Sequence, residues 1–277
     1  MDNYHQIMIK IYILWKGDFM RIRLTFNTDG NLIIPVQYNY LIQSMIYRNI
    51  SPGLADFLHD HGYIINGRQF KLFTFSRLEG RFIMRKDKKI EFTSPVQLTV
   101  ASAVEKFLRE LAEGMLRNDN LNINGQRLIL ESVGVSQPLE DEDFGEEITI
   151  KMLSPMVAYN TVERDNRSRT YYFSPWDEWF SELIRSNLEK KYKLVTGGTT
   201  GGDIQIIPIG PRDEKYCKVL DYKKTVVKGW LGIYKVRGDK RLMKIAYDTG
   251  LGSKNPQGFG CFEIIGGIKN WPGRRPV

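Results

Sequence analysis

The order in which hydrophobic periods follow one another along the chain constrains its fold more than any other feature. Arg21–Phe26 alternates apolar and polar residues, as a half-buried strand does. Apolar residues then recur at three- and four-residue spacing from Leu41 to Ile50, which predicts a helix. After a second short helix at Leu54–Leu58, the aromatic-rich run Phe70–Phe82 predicts another strand.

The first unit continues through a hairpin-like segment with the basic run Arg85–Lys89 at its tip. Ser94-Pro95 then leads into a predicted long helix, whose buried stripe is Val100, Val104, Phe107, Leu111 and Met115. A final strand is predicted at Leu128–Val135. The order strand, helix, strand, strand, helix, strand is that of a ferredoxin-like unit.

The same order recurs in the second half of the chain. The acidic stretch Glu140–Glu147 lacks periodicity and is predicted to be a linker, and Ser174-Pro175 is typical of a helix start. The other predicted elements are strands at Ile148–Leu153, Ile204–Val219, Lys224–Val236 and Gly258–Ile265, a helix reaching Tyr192 and a helix at Asp239–Tyr247. We therefore expect an α+β protein with two tandem ferredoxin-like (RRM-like) domains, at 20–139 and 148–277, after an N-terminal extension of residues 1–19.

Composition places the chain among ordinary globular proteins. Its 277 residues are 42% hydrophobic and 26% charged, and no apolar run reaches the ~18 residues of a membrane-spanning helix. Cys217 and Cys261 are too few for a disulfide framework, and no Cys/His cluster has zinc spacing. We therefore expect a cytoplasmic protein that has no membrane partner, no metal and no other cofactor.

The positive charge is concentrated at the end of the chain. The net charge is +8, yet the residues from Gln205 onward include 15 basic and 6 acidic residues, a net of +9. This asymmetry favours a C-terminal half that faces a polyanion, and the alternative is an evenly solvated basic surface. The candidate contacts are Lys223, Lys224, Lys228, Lys235, Arg237, Lys240 and Arg241. Trp230 and Tyr234 lie among them and could stack on bases, and for Trp230 core packing is the alternative.

A glycine loop, Gly250–Gly260, is the clearest local motif. Its four glycines (Gly250, Gly252, Gly258 and Gly260) join a short helix to a strand, and Lys254 lies between them. Glycine permits positive φ and close backbone approach, so the amides of such a loop can line an anion site. The loop is neither a Walker loop nor a dinucleotide fingerprint, because no Gly-Lys-Ser/Thr opens a helix and a strand follows it. The alternative is a tight turn beneath a sheet.

Five segments in a fixed order resemble a known family. They are the glycine loop, Ser44–Ile50, Leu54–His59, Lys71–Ser76 and Thr149–Pro155. Together they are similar to segments of the CRISPR-associated endoribonucleases of the repeat-associated mysterious protein superfamily, which cut precursor CRISPR RNA within its repeats. The resemblance covers about residues 20–266. It implies a repeat-RNA substrate and a guide-RNA product, and it allows an effector complex or a second copy of the chain as further partners.

The resemblance also implies a catalytic site. In family members that use a tyrosine, a histidine and a lysine, the matching positions here are Tyr47, His59 and Lys71. His61 lies two residues beyond His59 and is the alternative histidine. Taken singly, the tyrosine could be a half-buried helix residue, the histidine a helix cap and the lysine a solvated strand residue.

These residue types suit RNA cleavage without a metal. The reaction needs a base for the 2′-hydroxyl, an acid for the leaving 5′-oxygen and a cation for the phosphate. Histidine, which titrates near ~6.5, can serve as acid or base, and lysine is a compact charge for the phosphate. Tyrosine, with a reference pKa of about 10, is a poor base and is better suited to position the 2′-hydroxyl.

Two other classes of function compete with this one. A protein of the same fold could hold repeat RNA without cutting it, since some family members do so. A metal-dependent nuclease is disfavoured because no convincing pair of carboxylates lies on neighbouring predicted strands. The acidic run Glu140–Asp143 is predicted to be solvated, and the Arg85–Lys89 tip could contact phosphates or simply protect a sheet edge.

Overall fold

Two large β-sheets, each covered by helices on one face, form the two halves of the described molecule, and three two-stranded sheets accompany them. The structure is a computed structural model and describes residues 19–164, 167–222 and 225–269. The elements of the first unit are β1 (Arg21–Thr28), β2 (Leu32–Pro35), α1 (Asn39–Arg48), α2 (Pro52–Asp56), β3 (Tyr63–Ile65), β4 (Arg68–Phe70), β5 (Phe73–Phe75), β6 (Glu79–Met84), β7 (Lys89–Ser102), α3 (Glu105–Arg117), β8 (Asn122–Ile123) and β9 (Gln126–Ser136). A turn of π-helix, Phe57–His61, follows α2 directly.

The second unit repeats this plan with additional hairpins. Its elements are β10 (Phe144–Met152), β11 (Ala158–Arg164), β12 (Arg167–Phe173), α4 (Phe180–Thr196), β13 (Ile204–Pro208), β14 (Cys217–Tyr222), β15 (Thr225–Trp230), β16 (Ile233–Gly238), α5 (Lys240–Thr249) and β17 (Phe262–Ile268). None of the helices in the part of the chain that the structure describes is long and apolar enough to span a membrane.

The strand order of both sheets confirms the predicted fold. In the first sheet β1 lies between β9 and β7, and β5 pairs with the other edge of β7. In the second sheet the order is β13-β16-β10-β17. In each unit the first strand therefore lies between the third and fourth, and the second strand is at the edge, which is the ferredoxin-like arrangement. All these pairs are antiparallel.

Alternation along the strands separates a core face from an outer face. Ile22, Leu24 and Phe26 of β1 are fully buried beneath α1 and α3, and Ile148 and Ile150 play the same part in β10. Each unit has its own hydrophobic cluster of this kind. The domain limits 20–139 and 148–277 stay a prediction.

Two predicted element boundaries are wrong. Ser94-Pro95 does not lead into a helix, because β7 continues to Ser102 and α3 begins only at Glu105. Val100 pairs with Ile22 across the sheet, and its four-residue spacing to Val104 imitated a helical stripe. Likewise Ser174-Pro175 does not open α4, since the Asp177 carboxylate accepts a hydrogen bond from the Ser174 amide (2.7 Å) in a turn that precedes the helix.

The predicted linker is also partly wrong. Glu140 and Asp143 form a capping box around a short 3₁₀ turn, and β10 already begins at Phe144. Glu146 and Glu147 therefore belong to a strand rather than to a solvated connection. Their carboxylates face the basic residues of β16 and α5, which are distant in sequence.

Arg21 joins the two units through their interface. It is a buried residue of β1, and its guanidinium donates hydrogen bonds to the carbonyl oxygens of Phe262 (2.6 Å) and Tyr247 (2.7 Å). It also lies 3.8 Å from the centroid of the Tyr247 ring. A second link between the units is the hydrogen bond that the Tyr222 hydroxyl donates to the Gln43 side chain on α1.

Candidate functional site

A cleft of about 530 Å³ lies where the two units meet. The segment from β4 to β5 forms one wall, β11 and α4 form the other, and the end of α5 and the glycine loop close the base. Its charged side chains are all basic: Arg68, Lys71, Lys191 and Lys254. No carboxylate lines the cleft within the described residues, so its field favours an anion.

The cleft also contains polar groups with unused hydrogen-bonding capacity. The side-chain oxygens of Asn187 and Gln257 are buried and have no hydrogen-bond partner among the described residues. Buried amide oxygens are costly to leave unpaired, which makes them candidates for contact with a bound ligand. Tyr159 adds an aromatic face, and the Lys254 ammonium lies 5.2 Å from its ring centroid.

Lys71 reaches the cleft because the chain kinks between β4 and β5. The next residue, Leu72, has a φ of 52°, which non-glycine residues rarely adopt. Its carbonyl oxygen accepts hydrogen bonds from the Ser102 hydroxyl (2.9 Å) and the Ala103 amide (3.3 Å), which hold this conformation. The kink directs the Lys71 ammonium towards α1 and the π-helical turn.

The three predicted catalytic residues meet around this ammonium. Lys71 Nζ donates to the carbonyl oxygen of His59 (3.4 Å) and lies 5.8 Å from the centroid of the Tyr47 ring. The residues come from α1, from the turn after α2 and from the segment before β5. The structure therefore brings Tyr47, His59 and Lys71 to one rim of the cleft. Their catalytic role stays a prediction.

Tyr47 is half-buried against Phe73, and its hydroxyl finds no hydrogen-bond partner within the described part of the chain. Burial raises the pKa of Tyr47 above its ordinary value, and the neighbouring Tyr222 adds to this shift. The hydroxyl is therefore neutral over the physiological range and can donate a hydrogen bond, but it is poorly suited to accept a proton as a base.

His59 is the most exposed member of the group, with 75% of its side chain accessible. Its Nδ1 lies 2.6 Å from Asp60 Oδ1. This hydrogen bond is the main reason why the pKa of Asp60 lies below its ordinary value, and the charges of His61 and Lys71 contribute. The Asp60 carboxylate can therefore orient the His59 ring. Sequence reasoning missed Asp60, although its place directly after the histidine was a usable signal.

The glycine loop adopts the predicted place between α5 and β17, but its amides face the protein. All four glycines have φ between 72° and 85° and are buried. The amides of Gly250, Gly258 and Gly260 donate to the carbonyl oxygens of Ala246 (2.8 Å), Asn255 (3.0 Å) and Pro155 (2.9 Å). These three amides are therefore not available to an anion. A Cβ on Gly252 would overlap the carbonyl oxygen of Val157, which explains the need for glycine.

The loop offers its carbonyl oxygens to donors from both units. Asn39 Nδ2 donates to Gln257 O (2.8 Å), Gln43 Nε2 to Pro256 O (2.6 Å) and the Thr74 hydroxyl to Phe259 O (2.8 Å). From the other side, the buried Lys191 of α4 donates to the loop as well. Sequence reasoning missed Lys191, because one lysine in a polar helix gives no local signal.

Most of the predicted basic contacts lie elsewhere and are ion-paired. Arg237 and Lys235 both pair with Glu147 (2.8 Å each), and Arg241 pairs with Asp239 (2.6 Å) at the opposite end of α5 from the cleft. Lys240 pairs with Glu146 (3.1 Å). Lys228 is exposed on β15, and Lys224, like Lys223, lies outside the described residues.

The proposed base-stacking aromatics prove to be core residues. Trp230 is buried against Trp176 with 5.3 Å between ring centroids, and Tyr234 is buried in the second hydrophobic cluster. The stacking alternative is therefore wrong for both. At the basic hairpin tip, Arg85 pairs with Glu91 (2.9 Å) and Lys89 with Asp87 (3.2 Å), so part of that charge is neutralised locally.

Two family matches cover most of the chain. The family described as "CRISPR-associated protein Cas6, N-terminal" matches residues 33–134, and "CRISPR associated protein Cas6, C-terminal" matches residues 138–264. The chain belongs to the Cas6 family. This confirms the resemblance inferred from the glycine loop and the four other segments.

Three proteins illustrate the likeness of this Cas6-family chain to others. It is 25% identical to "CRISPR-associated endoribonuclease Cas6 1" of Methanocaldococcus jannaschii, over 87% of this chain and 91% of that one. It is 28% identical to "Putative CRISPR-associated endoribonuclease-like protein Cas6nc" of Pyrococcus horikoshii, over 85% and 95%. The solved structure "An RAMP protein binding different RNA substrates" superposes with a TM-score of 0.74 at 26% identity, over 89% and 100%.

Proposed function

We propose that this Cas6-family chain is an endoribonuclease that cuts CRISPR repeat RNA at the rim of the cleft. The observation that carries the proposal is the juxtaposition of Tyr47, His59 and Lys71 beside a cleft whose charged residues are all basic. An RNA strand in the cleft would have its phosphates near Lys71 and Lys254, and its donors within reach of the free oxygens of Asn187 and Gln257.

The proposed reaction is an internal transfer within the RNA. The 2′-oxygen attacks the adjacent phosphorus, the bond from phosphorus to the 5′-oxygen breaks, and the products end in a 2′,3′-cyclic phosphate and a 5′-hydroxyl. The proton lost by the 2′-hydroxyl balances the one gained by the 5′-oxygen. His59 serves this proton transfer as acid or base, oriented by Asp60, and Lys71 stabilises charge on the phosphate.

Tyr47 has a positioning part in this scheme. Its neutral hydroxyl has an unused donor, and the centroid of the Tyr47 ring lies 5.8 Å from the Lys71 ammonium. It can hold the attacking 2′-hydroxyl or a phosphate oxygen in place without exchanging a proton. The scheme uses side chains alone, and metal independence is part of the proposal.

A cleavage assay tests the enzyme directly. A labelled repeat RNA is incubated with the protein in excess EDTA, beside the same RNA with 2′-deoxynucleotides. We expect cutting of the ribose form only, with a cyclic phosphate on the 5′ fragment. Cutting of the deoxy form would overturn the 2′-hydroxyl mechanism, and activity lost with the chelator would overturn metal independence.

A non-catalytic RNA-binding protein of the same fold is the second candidate. The relative named as endoribonuclease-like, which is 28% identical, favours it, as does the 75% exposure of the His59 side chain. Tight binding of the repeat without cleavage under any condition would establish this alternative. A cytoplasmic location, an effector complex and a second copy of the chain stay predictions.

A further inference from the structure

Lys191 is a buried lysine that forms no ion pair with any carboxylate of the described residues. It is 2% exposed, in the fourth turn of α4. Its ammonium donates to the carbonyl oxygens of Gly250 (2.7 Å) and Gly252 (3.2 Å) and to Asn255 Oδ1 (2.7 Å). An ammonium has three donors, so these three acceptors use all of them. A neutral amine has two and would leave one acceptor unpaired.

These three acceptors control the shape of the whole glycine loop. Asn255 Nδ2 in turn donates to Leu251 O (3.2 Å) and Phe259 O (3.0 Å), which connects the two arms of the loop. Lys254 immediately precedes Asn255 and has a φ of 61°. The conformation that aims Lys254 at the cleft therefore depends on an oxygen that Lys191 holds.

Lys191 also contributes charge to the cleft. The titratable groups that share the cleft are Arg68 and Lys71 from the first unit, Tyr159 from β11 and Lys254 from the loop. On α4 itself, the neighbouring Lys190 is directed to Ser186 instead. Since none of these groups is acidic, the positive charge of Lys191 is not compensated locally.

We propose that Lys191 is a positioning residue for RNA, a clamp that fixes the glycine loop and Lys254 against the cleft and favours a phosphate there. This inference rests on the proposed function, because it takes the bound polyanion to be RNA. In the sequence, the glycines are candidates to donate amides to an anion. In this proposal Gly250 and Gly252 instead allow Lys191 to approach their carbonyl oxygens closely.

Protonation of the clamp is linked to binding. Burial lowers the pKa of Lys191 to about 7, so the ammonium and the amine are both populated near neutral pH. A phosphate in the cleft stabilises the ammonium and raises this pKa, so binding takes up a proton. Affinity should therefore be highest below pH 7 and should fall as the pH rises above it.

The test compares Lys191→Met and Lys191→Gln with Lys193→Met, which removes an exposed lysine from the same helix. Hydrogen exchange of the 250–260 amides reports on the loop without RNA. Affinity for a labelled repeat RNA is measured from pH 6 to 9 in a His59→Ala background, where neither cleavage nor that imidazole contributes. KM and kcat are each measured with His59 intact.

We expect both Lys191 variants to exchange the loop amides faster, to bind RNA about tenfold more weakly at pH 6 and to lose most of the pH dependence. KM should rise while kcat changes little, and Lys193→Met should match the wild type. If Lys191→Met does not fold, Lys191→Gln, which retains a donor, gives the answer. Unchanged loop exchange in a folded variant overturns the clamp. Failure of the wild type to bind RNA overturns the proposed function instead, and the exchange result still stands.

Discussion

The glycine loop and the π-helical turn that carries His59 are both short connections at the same cleft, yet they differ in how their polar groups are used. The loop is buried, and its amides and carbonyls are largely bonded within the protein. The turn is exposed: the His59 ring is hydrogen-bonded to its neighbour Asp60, and the hydroxyl of nearby Tyr47 has no partner among the described residues.

This difference indicates that the glycine loop supports the fold, whereas the π-helical turn offers groups that can react with a ligand. A segment whose hydrogen bonds are all made internally has little left to offer a ligand, and it contributes by fixing other groups. A segment with exposed or unpaired groups contributes little to stability, and those groups are available to react. Substitutions in the loop should therefore affect folding first, and substitutions around the turn should affect cleavage first.

The largest effect should come from His59→Ala. Removal of an acid–base group is expected to reduce the cleavage rate by ~10²–10⁴-fold, because proton transfer in the transition state is lost. Repeat-RNA affinity and the melting temperature should remain close to those of the wild type, since the side chain is exposed. Single-turnover cleavage and a binding titration measure the two quantities.

His61→Ala is the matched control for that substitution, because it lies on the same turn. Full activity of His61→Ala supports His59 as the reactive histidine. Loss of activity in His61→Ala alone would assign the acid–base role to His61. Loss of RNA binding in His59→Ala would contradict the expectation that the turn affects cleavage alone.

Gly252→Ala should be a strongly destabilising change in the loop. The added Cβ would overlap Val157 O, and φ is 72°, so strain and overpacking together should lower the free energy of unfolding by about 3 kcal/mol. Gly201→Ala has a similar φ of 61° but open space, and should cost about 1 kcal/mol. Denaturant unfolding measures both. Equal costs would show that the loop is not tightly packed.

Asp248 is a buried residue next to the glycine loop, because it lies at the end of α5. Burial raises the pKa of Asp248 to about 6, so ionisation is disfavoured in the folded state. The protonated Asp248 carboxyl is compatible with burial, so the free energy of unfolding is highest below pH 4. It falls as the pH rises through about 6 and the carboxyl has to ionise in the folded state. Relative to the wild type, Asp248→Asn should gain roughly 2–3 kcal/mol between pH 4 and pH 7.

Thermal unfolding across this pH range measures the gain. Asp221→Asn, at an exposed position of β14, is the control and should run parallel to the wild type. A curve for Asp248→Asn that also runs parallel would show that the carboxylate is not strained by burial.

Lys254 is the loop residue whose substitution should affect RNA binding more than folding, because its side chain lines the cleft. Lys254→Ala is expected to weaken RNA binding about tenfold and to reduce the slope of log affinity against log salt by ~0.7, because one phosphate contact is lost. Arg237→Ala should change both quantities less, because Arg237 is paired with Glu147 and lies away from the cleft. A larger effect at Arg237 would indicate that RNA binds beside β16 in the sheet of the second unit instead of in the cleft.

The smallest effect should come from Tyr47→Phe. Loss of one neutral hydrogen bond to RNA should reduce the cleavage rate about threefold. Stability should be equal or slightly higher, since a buried hydroxyl without a described partner is removed. A rate reduction near that of His59→Ala would give Tyr47 a part in proton transfer.

The sequence predicted those features that local periodicity encodes. The strand alternation at Ile22–Phe26, the helical spacing at Leu41–Ile50 and the order of elements were sufficient for the tandem fold. Local spacing failed where two periods overlap, as at Val100 and Val104, because a strand and a helix can present the same four-residue interval.

Features that depend on distant pairing could not be predicted. The basic excess after Gln205 is partly cancelled by Glu146 and Glu147, which the fold places beside β16 and α5. The direction of the loop's amides and the burial of Lys191 likewise depend on how α4 meets α5. The three proposed site residues were predicted through the family resemblance and stay a prediction, whereas the hydrogen bonds of Asp60 and Lys191 became visible only in the structure.

The links from Asn39, Gln43 and Thr74 to the glycine loop have a consequence for synthesis on the ribosome. The first unit leaves the ribosome early, but the partners of these side chains are encoded near the end of the message. We expect the cleft to be the last part of the molecule to form. A chain interrupted before Gly250 would contain all three proposed catalytic residues and still lack the residues that close the base of the cleft.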